Sequence, residues 1–308
     1  TPDLLAWPAD ALPDGVQPAT LRWRLHAAPD GGLSDDSERI SGGSVDNLDL
    51  VTGGLPAPLL ARYPQLDGYV ALRLRHHSDA EVRELLKGQL AVGLYDDTHQ
   101  IVDGTGVQIA PVLDALHPEA DQGSYGITWR SGGRADVRLW APPARALALR
   151  TWPAWSADAP ASAARRTTLD QHSDGSWSAR PTLAVGSRYL YEVQVYVPST
   201  GKVETNRVTD PYSVALTLNS TRSVAVDLAS PSAMPAVWRD SPSPELARAV
   251  DSTIYELHVR DFSVGDPSVP AEHRGSYLAF DDEQGDGYRH LEQLAQAGLN
   301  TVHLLPTF

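Results

Sequence analysis

Three side chains able to exchange or pair charge recur at alternate positions in TIYELHVRDFS (Thr253–Ser263): Glu256, His258 and Arg260. On a strand these would share one face, while Tyr255, Leu257 and Val259 take the other. His303, in the later stretch TVHLLP, has the same parity as Thr301 and joins them as a candidate partner. Charges on a buried face must pair or cost several kcal/mol. Glu256, His258, Arg260 and His303 are therefore expected to form one hydrogen-bonded support network, with structural pairing as the simplest role.

The other polar constellations are weaker. Asp281, Asp282, Glu283 and Asp286 in FDDEQGDGY offer hard oxygens that a calcium ion could use, but without the alternating Asp/Asn spacing of an EF-hand loop. A solvated loop is the competing reading. His76–His77, followed by Asp79 and Glu81, reads as an exposed pair. GTGVQIA lacks the third glycine and the following helix of a dinucleotide loop, and there is no G-x-S-x-G elbow and no phosphate loop. The chain has no cysteine, which excludes disulfides, thiolate metal sites and cysteine nucleophiles. Trp152 and Trp155, in a Pro/Ala-rich stretch, are the aromatics placed to stack on a sugar face. Trp140 ends an alternating apolar run and is read as core. Asp210–Pro211–Tyr212 favours an extended exit into a turn and is read as architectural.

Composition narrows the partners. Thirty-nine acidic and 25 basic residues leave a formal net charge of −14. That argues against nucleic acid, whose phosphates are held by clustered Lys and Arg, and fits a neutral ligand such as a sugar. The 308 residues, 42% hydrophobic and 21% charged, suffice for two or three ordinary globular domains. No stretch is apolar enough to span a bilayer, and residues 1–6 show no leader pattern.

The elements that must position these residues follow from punctuation and period. Twenty-four Gly and 24 Pro separate mostly short segments, which suits β-rich domains. PATLRWRLHAAPDGG reads as a strand running into a turn, and LKGQLAVGLYDDTHQIVDGTG as two strands around Asp96–Asp97, followed by a short helix near Pro111–Leu116. SDAEVRELLKG places Val82, Leu85 and Leu86 at helical spacing. ADVRLWAPPARALALRTW and SRYLYEVQVYVPSTGKVETN alternate with period two, the latter as a hairpin with Tyr189, Tyr191, Val193 and Val195 on one face. After the Pro/Ser-rich stretch SPSAMPAVWRDSPSPELARAV the period changes. Thr253–Arg260 reads as a strand, DGYRHLEQLAQAGLN as a helix closed by Gly298, and TVHLLP as a second strand. Strand–helix–strand implies a parallel pair. Such a pair alone leaves an uncovered edge, so the folding unit is expected to continue beyond Phe308, on the same precursor or on a second polypeptide.

Three stretches, YELHVRDFS (Tyr255–Ser263), RGSYLAF (Arg274–Phe280) and HLEQLAQAGLNTVHLLPTF (His290–Phe308), resemble the first barrel strand, following loop, first helix and second strand of pullulanases and limit dextrinases. These are α-1,6-glucan debranching enzymes of the α-amylase superfamily. VTDPYSVALTLNSTRSVAVDL (Val208–Leu228) resembles their link between a family-48 carbohydrate-binding-type module and the barrel, and Lys87–Leu116 their preceding β domain. The resemblance implies a multidomain chain: two β-sandwich-like all-β domains over residues 1–120 and 121–240, then the first βαβ unit of a truncated (β/α)₈ barrel over 241–308.

In this family hydrolysis is retaining, with two carboxylates about 5 Å apart across the scissile bond. The resemblance places them at barrel strands four and five, so no catalytic residue is expected within this chain. Glu256, His258, Arg260 and His303 would lie beneath the active-site floor. The implied partners are a branched α-glucan and the remainder of the barrel. No cofactor is implied, with calcium possible at Asp281, Asp282 and Asp286. A non-catalytic α-glucan-binding module, and a branching or glycogen-debranching relative, are the alternatives.

Overall fold

The structure, a computed structural model, describes residues 1–36, 38–131, 134–154, 159–231, 233–234 and 236–305. It divides into two compact units, Thr1–Ala233 and Met234–Phe308.

In the first unit, period-two alternation produces two groups of antiparallel strands. The first group contains β1 (Leu4–Trp7), β2 (Arg22–Ala28), β3 (Ser44–Leu50), β4 (Val70–Leu74), β5 (Gln89–Tyr95) and β6 (Ile101–Gly106), hydrogen-bonded in the order β1-β4-β3-β2-β5-β6. The turn into β6 is held by Asp96, whose Oδ1 accepts from Thr98 N–H and Gln100 N–H, both at 2.9 Å. Over this sheet lie α1 (Ala57–Arg62), α2 (Asp79–Leu85) and α3 (Ala110–Leu116). A capping box starts α2: Ser78 Oγ accepts from Glu81 N–H, and Glu81 Oε2 accepts from Ser78 N–H at 2.7 Å. Val82, Leu86, Leu113 and Leu116 pack with Trp23, Leu25, Leu72, Leu74, Val92 and Leu94. Where the sequence suggested a sandwich for residues 1–120, the layer facing the sheet is thus helical.

The second group forms two facing sheets. One orders β7 (Gly126–Arg130), β8 (Arg134–Trp140), β11 (Asp170–Gln171) and β12 (Ser176–Ala179) as β11-β12-β8-β7. The other orders β9 (Ala146–Trp152), β10 (Arg165–Thr168), β13 (Arg188–Val197) and β14 (Lys202–Val208) as β10-β9-β13-β14, with β15 (Ser223–Val224) also on β13. Val137, Leu139 and Trp177 from one sheet meet Leu147, Leu149, Tyr189 and Tyr191 from the other in a single core. Trp140 points elsewhere. It packs against the first core, with its indole N–H donating to Asp174 O at 3.1 Å and its ring edge-on to His117.

The second unit contains β16 (Ile254–His258), α4 (Asp286–Gln296) and β17 (Thr301–Leu305). The strands pair in parallel, with Ile254 opposite Thr301 and Glu256 opposite His303. Tyr255 meets His290 of α4 edge-on, so this parity of the strand faces the helix. Gly298, at φ 111°, ends the helix: its N–H donates to Ala295 O and Leu299 N–H to Leu294 O. Strand β16 is shorter than the sequence suggested. The chain turns after His258, with Phe262 N–H donating to His258 O and Val264 N–H to Arg260 O. Arg260 therefore lies in a turn and not on the strand face expected for it. Among the described residues no helix is long and apolar enough to cross a membrane.

Two buried histidines give the first unit a pH dependence. His26, on β2, is 2% exposed. Its Nε2 lies 2.9 Å from Tyr95 Oη, which also accepts Ile40 N–H at 3.2 Å. The phenol and Nε2 thus share one buried hydrogen bond. Burial, reinforced by the Arg24 charge, lowers the His26 pKa from 6.5, and burial followed by the Arg83 charge lowers that of His117. A lowered histidine pKa means that the unfolded chain binds more protons, so the stabilisation is present above pH 6.5 and is lost as pH falls below it. The melting temperature should drop between pH 7.5 and 5, above the range in which ordinary exposed carboxylates titrate. His26→Gln, which cannot titrate there, should flatten the drop; equal slopes in the two proteins would contradict this account.

Candidate functional site

The end of β16 gathers the residues that drew attention in the sequence. Register places Glu256 beside His303, and His303 Nδ1–H donates to Glu256 Oε2 at 3.0 Å. The two side chains are 59% and 57% exposed. His258 is also exposed, and its Nδ1 accepts Arg260 N–H at 3.1 Å. Arg260 extends outward, with Asp261 Oδ1 at 3.4 Å as its partner. Of the four expected network members the structure joins two as a side-chain pair, Glu256 and His303. His258 and Arg260 meet only through the turn backbone. An exposed pair of this kind contributes about 0–1 kcal/mol.

The loop after β16 is firmly built. The Phe262 and Phe280 rings stack at 4.2 Å, and Ser263 Oγ, almost fully buried, accepts Gly275 N–H at 2.8 Å. Asp266 caps α4, accepting the N–H groups of Asp286 at 2.9 Å and Gly287 at 3.3 Å. Hydrogen bonds from Ser268, first its side chain, hold the Asp266 pKa below the usual carboxylate range. The calcium candidates diverge. Asp282 pairs with His273 at 2.8 Å, Asp286 with Arg289 at 2.6 Å, and Asp281 ends a short helical turn at Leu278. Among the described residues no cluster of three or more His, Asp or Glu side chains could hold a metal ion.

In the first unit Trp152 is 2% exposed. Its indole N–H donates to Pro160 O at 3.1 Å, and the Arg222 guanidinium lies 4.1 Å from the ring centroid. The ring suggested as a sugar platform is covered and acts as core. Trp155 lies outside the described residues.

Asp210 is a buried node. Its Oδ2 accepts Tyr189 O–H at 2.8 Å, its Oδ1 accepts Tyr212 N–H at 2.8 Å, and its own N–H donates to Ser223 Oγ at 2.9 Å. Burial raises its pKa, and burial also pushes up the Tyr189 and Tyr191 phenols. The Tyr212 ring stacks on Tyr125 at 5.0 Å. The segment after β14 is thereby fastened to β13 and β15, an architectural role within this unit.

One grouping went unnoticed in the sequence. On the face of β10-β9-β13-β14 turned away from the core, Glu192 collects Arg150 at 3.0 Å, Arg166 at 2.8 Å and Arg207 at 3.7 Å. The signal was available in the parity of RTW, RRTT, YEVQ and TNRV, but only strand pairing brings these positions together.

Comparison with known proteins places this architecture. Residues 1–115 match the family described as Pullulanase N2 domain. The chain is 34% identical over 297 residues to Pullulanase 1, chloroplastic, of Arabidopsis thaliana, covering 92% of this chain and 29% of that protein. It is 36% identical over 253 residues to the pullulanase of Klebsiella pneumoniae, covering 80% and 23%. The crystal structure of the maltotriose complex of PulA from Klebsiella pneumoniae superposes with a TM-score of 0.82 at 30% identity, over 99% of this chain and 32% of that one. The chain thus spans less than a third of the length of these relatives.

The Asp210 node separates two neighbouring tyrosines. Tyr189→Phe would leave Asp210 Oδ2 buried without its donor and should cost about 1–3 kcal/mol in denaturant unfolding. The Tyr191 hydroxyl is buried with no partner among the described residues, so Tyr191→Phe should be neutral or stabilising. The reverse order would show that the node is misassigned.

Proposed function

The chain belongs to the pullulanase family, as a counterpart of its N-terminal region, and on that premise we propose that it is the N-terminal part of a retaining glycoside hydrolase. The links cleaved are α-1,6 branch links in pullulan, amylopectin or limit dextrins. The observation that carries this reading is the continuity of the likeness, which runs through 99% of the chain at a TM-score of 0.82. On this reading residues 1–120 form the N-terminal β domain, 121–240 a family-48-type carbohydrate-binding module, and 241–308 strand one, helix one and strand two of a (β/α)₈ barrel. The parallel pairing of β16 with β17 across α4 is what a barrel start requires.

The chemistry then divides between segments. Two carboxylates about 5 Å apart act as nucleophile and acid/base, and these come from segments beyond residue 308. On this reading the residues present here contribute the barrel floor. Glu256 and His303, already hydrogen-bonded, would line the barrel interior, where pairing is what allows charges to be buried.

The test is to isolate the polypeptide that carries this chain from its source, weigh it by native mass spectrometry, and assay release of reducing ends from pullulan. A species well above 33.2 kDa that hydrolyses pullulan is expected. A lone 33.2 kDa species without hydrolysis would overturn the proposal.

A further inference from the structure

Among the described residues, the outer face of the β10-β9-β13-β14 sheet carries more positive charge around Glu192 than that carboxylate can balance. Register sets Arg150 directly opposite Arg166, and Glu192 directly opposite Arg207. Like charges directly opposite on neighbouring strands destabilise a sheet. Three guanidinium groups share Glu192, so three positive charges less one negative leave a local excess of two. This occurs in a chain whose formal net charge is −14, which is why the overall charge conceals it.

The arginines are not equally committed. Arg150 is 13% exposed, with Nη1 on Glu192 and Nη2 on Ala161 O at 2.7 Å. Arg166 and Arg207 are each 50% exposed. Arg166 turns Nε to Glu192 and brings Nη1 only to 3.5 Å from Thr168 Oγ1. Arg207 has Glu192 as its ion-pair partner, through Nε. Both therefore present outer N–H edges to solvent. Thr168, Gln194 and Thr205 are exposed on the same face, Thr168 opposite Ala148, Gln194 opposite Ala146 and Thr205 opposite Gln194.

We propose that this face binds a phosphate dianion at the outward N–H edges of Arg166 and Arg207, whose Nε atoms flank the Glu192 carboxylate. Planar guanidinium forks match phosphate oxygens in geometry, and a dianion cancels an excess of two charges. The flanking hydroxyls and amide suit a sugar bearing that phosphate. Two sources share this chemistry: a phosphate monoester on the branched glucan of the proposed function, and free inorganic phosphate. Only the first source rests on the proposed function.

The test uses the polypeptide that carries this chain, in phosphate-free, low-salt buffer. Sodium phosphate is titrated calorimetrically, and the chain is also run through gels containing phosphorylated amylopectin or the same polymer after phosphatase treatment. Phosphate should bind, and the double variant Arg166→Gln/Arg207→Gln should weaken binding at least tenfold. Arg180→Gln, which removes an 85% exposed guanidinium elsewhere, should not. Circular dichroism checks that the variants fold. Retardation that is stronger in phosphorylated polymer, and loses that surplus in the double variant, assigns the source to the glucan ester. Equal retardation in both gels, with phosphate binding still lost in the double variant, assigns it to the free ion. Absence of phosphate binding, or binding unchanged in the double variant, overturns the proposal. Should neither gel retard the chain while phosphate still binds through Arg166 and Arg207, the glucan reading fails and the phosphate site stands.

Discussion

The pairing of β9 with β13 is the constraint on which most of the first unit depends. Seven consecutive pairs, from Ala146 with Gln194 to Trp152 with Arg188, set the parity of both strands. One parity carries Leu147, Leu149, Tyr189 and Tyr191, each 0–1% exposed. A slip of one residue would turn this set to solvent and drive Arg150 and Glu192 inward. Each large side chain expelled forfeits roughly 1.5–3 kcal/mol, before any cost of burying the charges. The register is therefore strongly specified. The same parity rule forces the outer residues into rows, so the arginine face is a geometric by-product of the core that Glu192 only partly neutralises.

Buried polar groups in this unit do one job in two places: they tie a connecting segment to a sheet. Asp210 fastens the chain leaving β14 to Tyr189 on β13 and Ser223 on β15. The Tyr95 hydroxyl, fixed by His26, accepts Ile40 N–H from the loop between β2 and β3. A loop backbone group that enters the interior must find a partner, and in both cases a strand side chain supplies it. The two nodes respond oppositely to acid. Burial raises the Asp210 pKa and lowers that of His26, so falling pH favours the folded form at the first and opposes it at the second.

Local features were legible in the sequence and non-local ones were not. The Ser78–Glu81 box, the turn at Asp96, the stop at Gly298 and the hairpin face of Tyr189 and Tyr191 all follow from spacing within a few residues. Trp152 misled because its Pro/Ala-rich surroundings suggested an open loop; its cover comes from Pro160 and Arg222, which no local pattern reveals. Trp140 was read as core, but it is only partly buried and its partners belong to the other core. Arg260 failed as a strand residue because the turn after His258 begins two positions before the alternation ends. The helical layer over the first sheet was visible as separate short helices, but not as the substitute for a second sheet.

The question raised by a charged strand is answered by the division of β16 into two faces. Tyr255 turns to His290 on α4, and the opposite parity sets Glu256 against His303 across a parallel pair. Parallel sheets are ordinarily covered on both sides. A lone glutamate or histidine on the second side would resist such covering, because desolvation penalises an unpaired charge by several kcal/mol. A carboxylate and an imidazole held at 3.0 Å meet that cost together, and the lower the local dielectric, the stronger their attraction. His258 is tied differently: its Nδ1 accepts the backbone N–H of Arg260 at 3.1 Å. The polar face of β16 thus consists of one hydrogen-bonded carboxylate–imidazole pair and one ring tied to the turn backbone, a combination that tolerates water and that burial in the proposed barrel would tighten rather than break.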